Sequence, residues 1–212
     1  MNEADSRRLA QQLEFIGYVP GTRAEDADLV VLNTCVVRQQ AEDKAVGRLT
    51  TLKSAKLERP GMVIGLMGCM VGMREAPALK ERYPFVDVFM PPSETAPLLD
   101  FLRDKGLFAN LRADEVREFE LRSAIQNEDL PVPAQERGQI MANVPVVLGC
   151  SHACTFCVIP DRRGAERSRP ADDILRECES LVRQGVREIM LLGQIVDRYG
   201  VDLPDMTLSL LL

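Results

Sequence analysis

Apolar residues over positions 1–105 occur in two patterns, short continuous runs and sparser positions three or four residues apart. Continuous runs are typical of buried parallel strands, and the sparser spacing is typical of helices with one buried face. In chain order, the patterns predict a helix over 6–16 that Ser6 caps and Gly17 ends, then strands over 28–33, 62–67 and 85–89 that alternate with helices over 37–52, 76–82 and 95–105. Residues 1–105 are therefore expected to form an α/β domain with a doubly wound parallel sheet.

The pattern changes after residue 105. Residues 106–138 are rich in charge and contain Pro131 and Pro133, so we expect a connector that ends near Gly138. Residues 139–212 resume the alternation, with a strand over 144–148, a helix over 171–184 and a strand over 188–192. This second part predicts one βαβ unit and a little more.

The charge balance limits how the chain could bind a nucleic acid. With 26 basic and 32 acidic residues the net charge is −6, so contact with phosphates would need a local basic patch. The densest basic cluster consists of Arg162, Arg163, Arg167 and Arg169. This cluster either contacts nucleic-acid phosphates or a cofactor carboxylate, or forms a salt-bridged loop with Asp161, Glu166 and Asp172.

The sequence shows neither a membrane segment nor a signal peptide. No apolar stretch approaches the roughly 20 residues that cross a bilayer, and the first residues lack the pattern of an export signal. A soluble cytoplasmic protein that binds no membrane is therefore expected. Six cysteines in such a chain favour metal or redox chemistry over a disulfide framework, because the cytosol keeps thiols reduced.

Three of the cysteines, Cys150, Cys154 and Cys157, are separated by only three and two residues. Three thiolates in one loop can bind three corners of a [4Fe–4S] cluster and leave the fourth iron open, which suits a cluster that activates a substrate. S-adenosylmethionine can chelate such an iron and then yield a radical that abstracts hydrogen from an unactivated carbon. The alternative is a zinc site with His152 as the fourth ligand, although zinc ligands usually come as two separated pairs.

Four further residues are candidates for a functional or a structural role. Phe156, beside the last cysteine of the triplet, could shield the cluster, flank adenine or belong to the core. Cys178 lies on the apolar face of the predicted 171–184 helix and is expected to pack in the core. Cys35 and Cys69 each follow a predicted strand directly, and the carboxyl ends of parallel strands share one crevice, so both thiols could face the same site.

The segment over 149–170 resembles the radical domain of the methylthiotransferases. The resemblance rests on Cys-Ser-His-Ala-Cys-Thr-Phe-Cys-Val-Ile-Pro, followed by Arg163-Gly164 and Ser168-Arg169-Pro170. Residues 191–194, Leu-Leu-Gly-Gln, are similar to the second-strand motif of that family. The similarity implies that the backbone at Gly193 and Gln194 meets the cofactor.

The first part of the chain resembles the same family. Residues 1–6, 33–35 and 68–69 are similar to its amino-terminal domain, so the resemblance covers nearly the whole chain. Residues 36–38 and 41–44 are closer to the MiaB-type tRNA enzymes than to the ribosomal-protein branch of the family.

The resemblance implies a radical S-adenosylmethionine enzyme with a partial (β/α) barrel and two [4Fe–4S] clusters. Cys150, Cys154 and Cys157 would bind the radical cluster, and Cys35 and Cys69 would bind a second cluster that delivers sulfur. The reaction would be methylthiolation at carbon 2 of isopentenyladenosine beside the tRNA anticodon, with one S-adenosylmethionine supplying the methyl group and a second the radical. The implied partners are tRNA, S-adenosylmethionine and an electron donor such as a flavodoxin, and a monomer is expected.

The chain departs from the family pattern at both ends. A third amino-terminal cysteine and a first strand are missing before Met1, and the radical barrel stops after two strands, without the carboxyl-terminal RNA-binding module. Ile195 also stands where MiaB-type members commonly carry Asn. These departures predict a chain truncated at both ends that is inactive alone. The alternatives are the same chemistry on a threonylcarbamoyl adenosine or a ribosomal-protein aspartate, an inactive cluster-binding fragment, and a zinc-binding module.

Overall fold

The computed structural model of the protein describes residues 1–36, 39–74, 76–108 and 140–212. The described residues form an amino-terminal half over 1–108 and a carboxyl-terminal half over 140–212. The predicted start of the second helix at Val37 lies outside the described residues, as does the predicted connector beyond residue 108 with its end near Gly138. In the described ranges no helix combines the length and the apolar character that crossing a membrane requires.

The amino-terminal half contains a parallel three-stranded sheet. Its strands are β1 (Leu29–Thr34), β2 (Val63–Gly68) and β3 (Val88–Met90), in the spatial order β1-β2-β3. Every residue of the central strand β2 is buried, as expected for an apolar run with a neighbour on each side. Strand β1 is half-buried over most of its length, because it lies at the edge of the described sheet.

Helices cover both faces of this sheet. They are α1 (Asn2–Phe15), α2 (Gln39–Glu58), α3 (Ala76–Arg82) and α4 (Ala96–Asp104). Leu49 of α2 packs in one core with Ile64 of β2. Leu9 of α1 and Leu98 of α4 pack in a second core with Met90 of β3. The prediction of an α/β unit with a parallel sheet is confirmed, and α3 has its predicted bounds.

Helix α1 begins earlier than the apolar pattern predicts, and Ser6 does not cap it. Ser6 lies inside the helix, where its hydroxyl oxygen accepts a hydrogen bond of 2.9 Å from Nδ2 of Asn33. The reason is tertiary, since Ser6 lies beside the end of β1 and its hydroxyl is satisfied there. Gly17 follows the helix with a φ of +95°, the left-handed conformation predicted for it.

The carboxyl-terminal half is built on two parallel strands, β4 (Met141–Pro145) and β7 (Glu188–Leu192). The other elements are β5 (Val147–Leu148), α5 (Ile159–Arg163), β6 (Arg167–Ser168), α6 (Ala171–Arg183) and α7 (Leu208–Leu211). The prediction for 188–192 is confirmed, and α6 ends one residue before its predicted end. The strand predicted over 144–148 is divided instead, since Val144 and Pro145 end β4, whereas Val147 and Leu148 form β5, which pairs antiparallel with β6.

Helix α6 packs its apolar face against β4 and β7. Ile174 and Leu181 of this helix form a buried core with Val144, and Cys178 packs against the same core. Burial raises the pKa of the Cys178 thiol. The prediction that Cys178 packs in the core is confirmed.

Candidate functional site

The loop that carries the cysteine triplet begins at a glycine that no other residue could replace without distortion. Gly149 has a φ of +69°, and a Cβ at this position would lie 2.1 Å from the carbonyl oxygen of Ala165. The next residue, Cys150, is buried, and its N–H donates a hydrogen bond of 3.0 Å to the carbonyl of Gly164. The first cysteine is therefore held directly against residues 164–165.

A second group of contacts, through Glu166, holds the same loop. The hydroxyl of Ser151 accepts a hydrogen bond of 2.9 Å from the N–H of Glu166. The buried Glu166 carboxylate in turn accepts from Nε of Arg198 through both oxygens, at 2.9 and 2.8 Å, and this bonding raises the pKa of Arg198. Because Arg198 follows β7, the loop is tied to the chain that leaves this strand.

The tip of the loop is exposed. Cys154 is exposed, Cys157 is half-buried, and the N–H of Cys157 donates to the carbonyl of Cys154 at 3.1 Å. The Phe156 side chain is 92% exposed, so the interpretation of Phe156 as a core residue is wrong. His152 is also exposed.

The donors in this loop are of the type that binds iron–sulfur clusters. All six cysteines of the chain are free thiols, and three of them lie within eight consecutive residues of one loop. Gly149 and Ser151 fix the start of the loop, whereas the tip with Cys154 faces solvent. Among the residues that the structure describes, no three His, Cys, Asp or Glu side chains lie close enough together to hold a metal ion.

Gly193 and Gln194, the predicted cofactor-binding residues, follow β7 at the edge where the cysteine loop begins. The N–H of Val146 donates to the carbonyl of Leu192 at 2.7 Å, so the chain leaving β4 lies beside the end of β7. A Cβ on Gly193 would lie 3.2 Å from the Cβ of Val147. The motif and the triplet therefore share one edge of the sheet, the edge at which ligands bind in open α/β sheets.

Cys35 and Cys69 lie at the ends of neighbouring strands. Thr34 pairs with Gly68 in the β1–β2 register, and each cysteine is the residue directly after its strand. A Cβ on Gly68, whose φ is +96°, would lie 2.5 Å from the Thr34 carbonyl oxygen. The N–H of Cys69 donates to the carbonyl of Thr34 at 3.1 Å, so the two cysteines follow adjacent strand ends, and a site shared by their thiols stays a prediction.

Thr34 organises this end of the sheet, a role that the sequence analysis missed. Its buried hydroxyl donates to the carbonyl of Met67 at 2.7 Å and accepts from the N–H of Met70 at 3.2 Å. Its carbonyl accepts from Nδ2 of Asn2 at 2.9 Å and from the N–H of Cys69 at 3.1 Å. The available signal was a polar Asn-Thr pair that ends an apolar strand.

The two cysteine groups belong to different halves, and these halves meet beside them. Helix α1 contacts β4. A Cβ on Gly72, three residues after Cys69, would lie 3.4 Å from Cδ of Arg162, and a Cβ on Gly164 would lie 3.6 Å from Cγ of Met73. The loop after β2 therefore packs on the end of α5 and the residues that follow it.

Two arginines of the predicted basic cluster form hydrogen bonds and ion pairs with other residues of this chain. Arg163 bonds to Asn2 and pairs with Asp5. Arg169 donates to the carbonyl of Pro145 at 2.7 Å and pairs with Glu177, also at 2.7 Å. Both arginines therefore form ion pairs, but their partners are Asp5 and Glu177 instead of the expected Asp161, Glu166 and Asp172.

Comparisons with known proteins match the two halves of the chain to two different families. Residues 1–91 match the uncharacterized protein family UPF0004, and residues 144–201 match the radical SAM superfamily. The chain is 41% identical over 206 residues to a tRNA-2-methylthio-N(6)-dimethylallyladenosine synthase of Herpetosiphon aurantiacus, and 41% and 40% identical to proteins of the same name from Roseiflexus sp. and Dehalococcoides mccartyi. The chain resembles the radical SAM methylthiotransferases.

The similarity to these methylthiotransferases covers most of this chain but less than half of each relative. The alignments span 96%, 96% and 97% of the chain and 43%, 40% and 42% of the respective relatives. Within the chain, the UPF0004 match contains Cys35 and Cys69, and the radical SAM match contains the triplet with Gly193 and Gln194. Both candidate sites thus fall in regions that match family models.

Proposed function

We propose that this chain supplies the two cysteine sites of a tRNA methylthiotransferase that modifies carbon 2 of isopentenyladenosine next to the anticodon. The observation that carries the proposal is the arrangement of the thiols. An exposed loop with three cysteines leaves one sheet edge, and two further cysteines end neighbouring strands of the adjoining half. The names of the similar proteins, which describe a 2-methylthio modification of dimethylallyladenosine in tRNA, support the same substrate.

Cys150, Cys154 and Cys157 would hold a [4Fe–4S] cluster. With S-adenosylmethionine bound, such a cluster supplies one-electron chemistry, which an aromatic C–H bond without an acidic proton requires. The residues of the chain provide the frame for this chemistry. Gly149 and the Glu166–Arg198 pair fix the start of the loop, and the solvent-facing tip allows Cys154 and Cys157 to turn toward a common centre. Gly193 and Gln194 would offer backbone groups to the cofactor at the same edge.

Cys35 and Cys69 would hold a second [4Fe–4S] cluster that delivers sulfur. Their positions at paired strand ends allow one metal centre to reach both thiols. Residues 1–108 contain two cysteines, so this half would supply two of the thiolate ligands of that cluster.

The proposal includes a finer description of the fold and its partners. The parallel sheet over 1–105 would be part of a doubly wound domain, residues 106–138 a connector, and residues 139–212 the first part of a partial (β/α) barrel. The whole protein would act as a cytoplasmic monomer on tRNA, with S-adenosylmethionine and an electron donor such as a flavodoxin.

Anaerobic reconstitution of this chain with iron and sulfide tests the proposal. We expect about four iron and four sulfide per chain from the triplet, absorbance near 400 nm, and a spectral change when S-adenosylmethionine is added. Cys154→Ser should abolish these signals, whereas the matched control Cys178→Ser should retain them, because Cys178 packs in the core. A colourless protein, or one that binds zinc but no iron, would exclude the proposed radical chemistry.

A further inference from the structure

Arg163 is buried where the two halves meet. Nη2 of Arg163 donates a hydrogen bond to Oδ1 of Asn2, and Nη1 lies 3.7 Å from Oδ2 of Asp5. The side chains of Arg163 and Asp5 are only 5% and 6% exposed. Burial of a charge is costly unless the charge is paired. The buried guanidinium of Arg163 in one half is therefore stabilised by Asn2 and Asp5 of the other half.

On the carboxyl-terminal side, Arg163 is joined to the cysteine triplet through its neighbour in the chain. Arg163 is the last residue of α5, and Gly164 follows it with a φ of +75°. The carbonyl of Gly164 accepts the hydrogen bond from the N–H of Cys150. A shift of Arg163 would therefore move the residue that holds the first cysteine of the triplet.

On the amino-terminal side, Asn2 joins Arg163 to the other cysteine pair. Nδ2 of Asn2 donates to the carbonyl of Thr34, which also accepts the hydrogen bond from the N–H of Cys69. Nδ2 of Asn33 donates to the carbonyl of Asn2 at 2.9 Å, which fixes the start of α1 on the end of β1. A continuous series of hydrogen bonds and covalent bonds thus connects Cys150 to Cys69.

We propose that Arg163 is a positioning residue that holds the cysteine triplet against the sheet edge carrying Cys35 and Cys69. The importance of this position for sulfur transfer rests on the proposed function, whereas the mechanical coupling does not depend on it. Arginine suits the role because its planar guanidinium presents two nitrogens at once to Asn2 and Asp5, whereas a lysine has a single charged nitrogen.

Residue-by-residue hydrogen exchange of the metal-free chain tests the coupling. The reporters are the amides of Cys69 and Met70 in one half and those of Cys150 and Gly164 in the other, since all four are hydrogen-bonded. In Arg163→Gln, we expect exchange to rise on the order of tenfold or more at all four amides. Arg163→Lys should recover part of the protection, because it keeps the charge near Asp5.

A reciprocal variant and a matched control complete the experiment. Asn2→Ala should speed exchange at Cys150 and Gly164, in the half that does not contain the substitution. Arg183→Gln is the control, since Arg183 is exposed and its ion pair, at 3.9 Å, is with Glu179 of its own helix. It should leave all four reporters unchanged, and circular dichroism checks that every variant is folded.

The outcomes separate this proposal from the proposed function. The coupling is refuted if Arg163→Gln speeds exchange only at Cys150 and Gly164 and Asn2→Ala speeds exchange only at Cys69 and Met70. Arg163 would then stabilise only its own loop. Iron binding is measured on the reconstituted unmodified chain, because the coupling is observed in the metal-free protein and the proposed function in its iron content. Coupled exchange in a chain that binds no iron would support the coupling and contradict the proposed function.

Discussion

The N–H of Cys69 donates a hydrogen bond of 3.1 Å to the carbonyl of Thr34, the residue before Cys35. This bond continues the β1–β2 ladder one residue beyond the Thr34–Gly68 pair. Gly68, the residue before Cys69, has a φ of +96°. The chain thus bends at this glycine, directly before a candidate ligand.

Gly68→Ala should destabilise the protein. The added Cβ would lie 2.5 Å from the Thr34 carbonyl oxygen, and alanine is strained at this φ, so we expect a loss of about 1–3 kcal/mol in the free energy of unfolding. Urea denaturation measures the loss. Gly47→Ala is the matched control, because Gly47 lies inside α2 with no atom within 4 Å of the added Cβ. The control should be neutral or more stable by up to about 1 kcal/mol, and equal losses in both variants would contradict this account.

Gly149→Ala should damage the cysteine loop more than Gly185→Ala damages its own turn. Both glycines have positive φ, +69° and +97°, but only at Gly149 does the added Cβ meet backbone, 2.1 Å from the carbonyl oxygen of Ala165. In Gly185→Ala we expect only the backbone strain of an alanine at positive φ, which costs about 1–2 kcal/mol. We expect Gly149→Ala to have the lower Tm in thermal denaturation and to bind less iron on reconstitution. A higher iron content in Gly149→Ala than in Gly185→Ala would show that the bend at Gly149 is unimportant for the triplet.

The stability of the protein should depend on pH through Asp5. Burial raises the pKa of the Asp5 carboxyl above its ordinary value of 3.8, although Ser93 and the charge of Arg163 oppose the shift. A carboxyl with a raised pKa in the folded state contributes its stability fully below 3.8 and loses it as the pH rises through the folded pKa. The ionised form is therefore the costly one.

Asp5→Asn checks this sign. Its free energy of unfolding, relative to that of the unmodified protein, should increase as the pH rises from about 4 to about 7, because asparagine cannot ionise. Urea denaturation of the two metal-free proteins at several pH values measures the difference. A difference that is constant across this range, or one that decreases, would contradict the assignment.

The cysteines should differ in reactivity toward an alkylating agent. Cys154 is exposed, whereas burial raises the pKa of Cys178 and lowers the fraction of its reactive thiolate. In the metal-free, reduced protein near pH 8, iodoacetamide should modify Cys154 on the order of tenfold faster than Cys178. Peptide mass spectrometry over time gives both rates. Equal rates in the folded protein would show that α6 does not protect Cys178, and unfolding in urea should bring the two rates together.

The sequence by itself determined most of the elements and the candidate ligands. The spacing of apolar residues reflects the local geometry of helices and strands, so the helix over 76–82 and the strand over 188–192 matched their predictions. The cysteine triplet could also be recognised from the sequence, because three cysteines within one loop form a local pattern. Cys35 and Cys69 were expected to be neighbours because parallel strands end at the same edge.

Only the tertiary structure decided which polar residues meet. Arg163 and Asn2 are 161 positions apart in the chain, and no local pattern indicates that one binds the other. The same holds for Ser6, which the sequence suggested as a helix cap and which instead bonds to Asn33. A polar side chain takes whichever partner the packed chain brings within reach, because an unpaired buried polar group is costly. Helix spacing depends on a few neighbouring residues, whereas these contacts depend on how segments distant in the chain pack together.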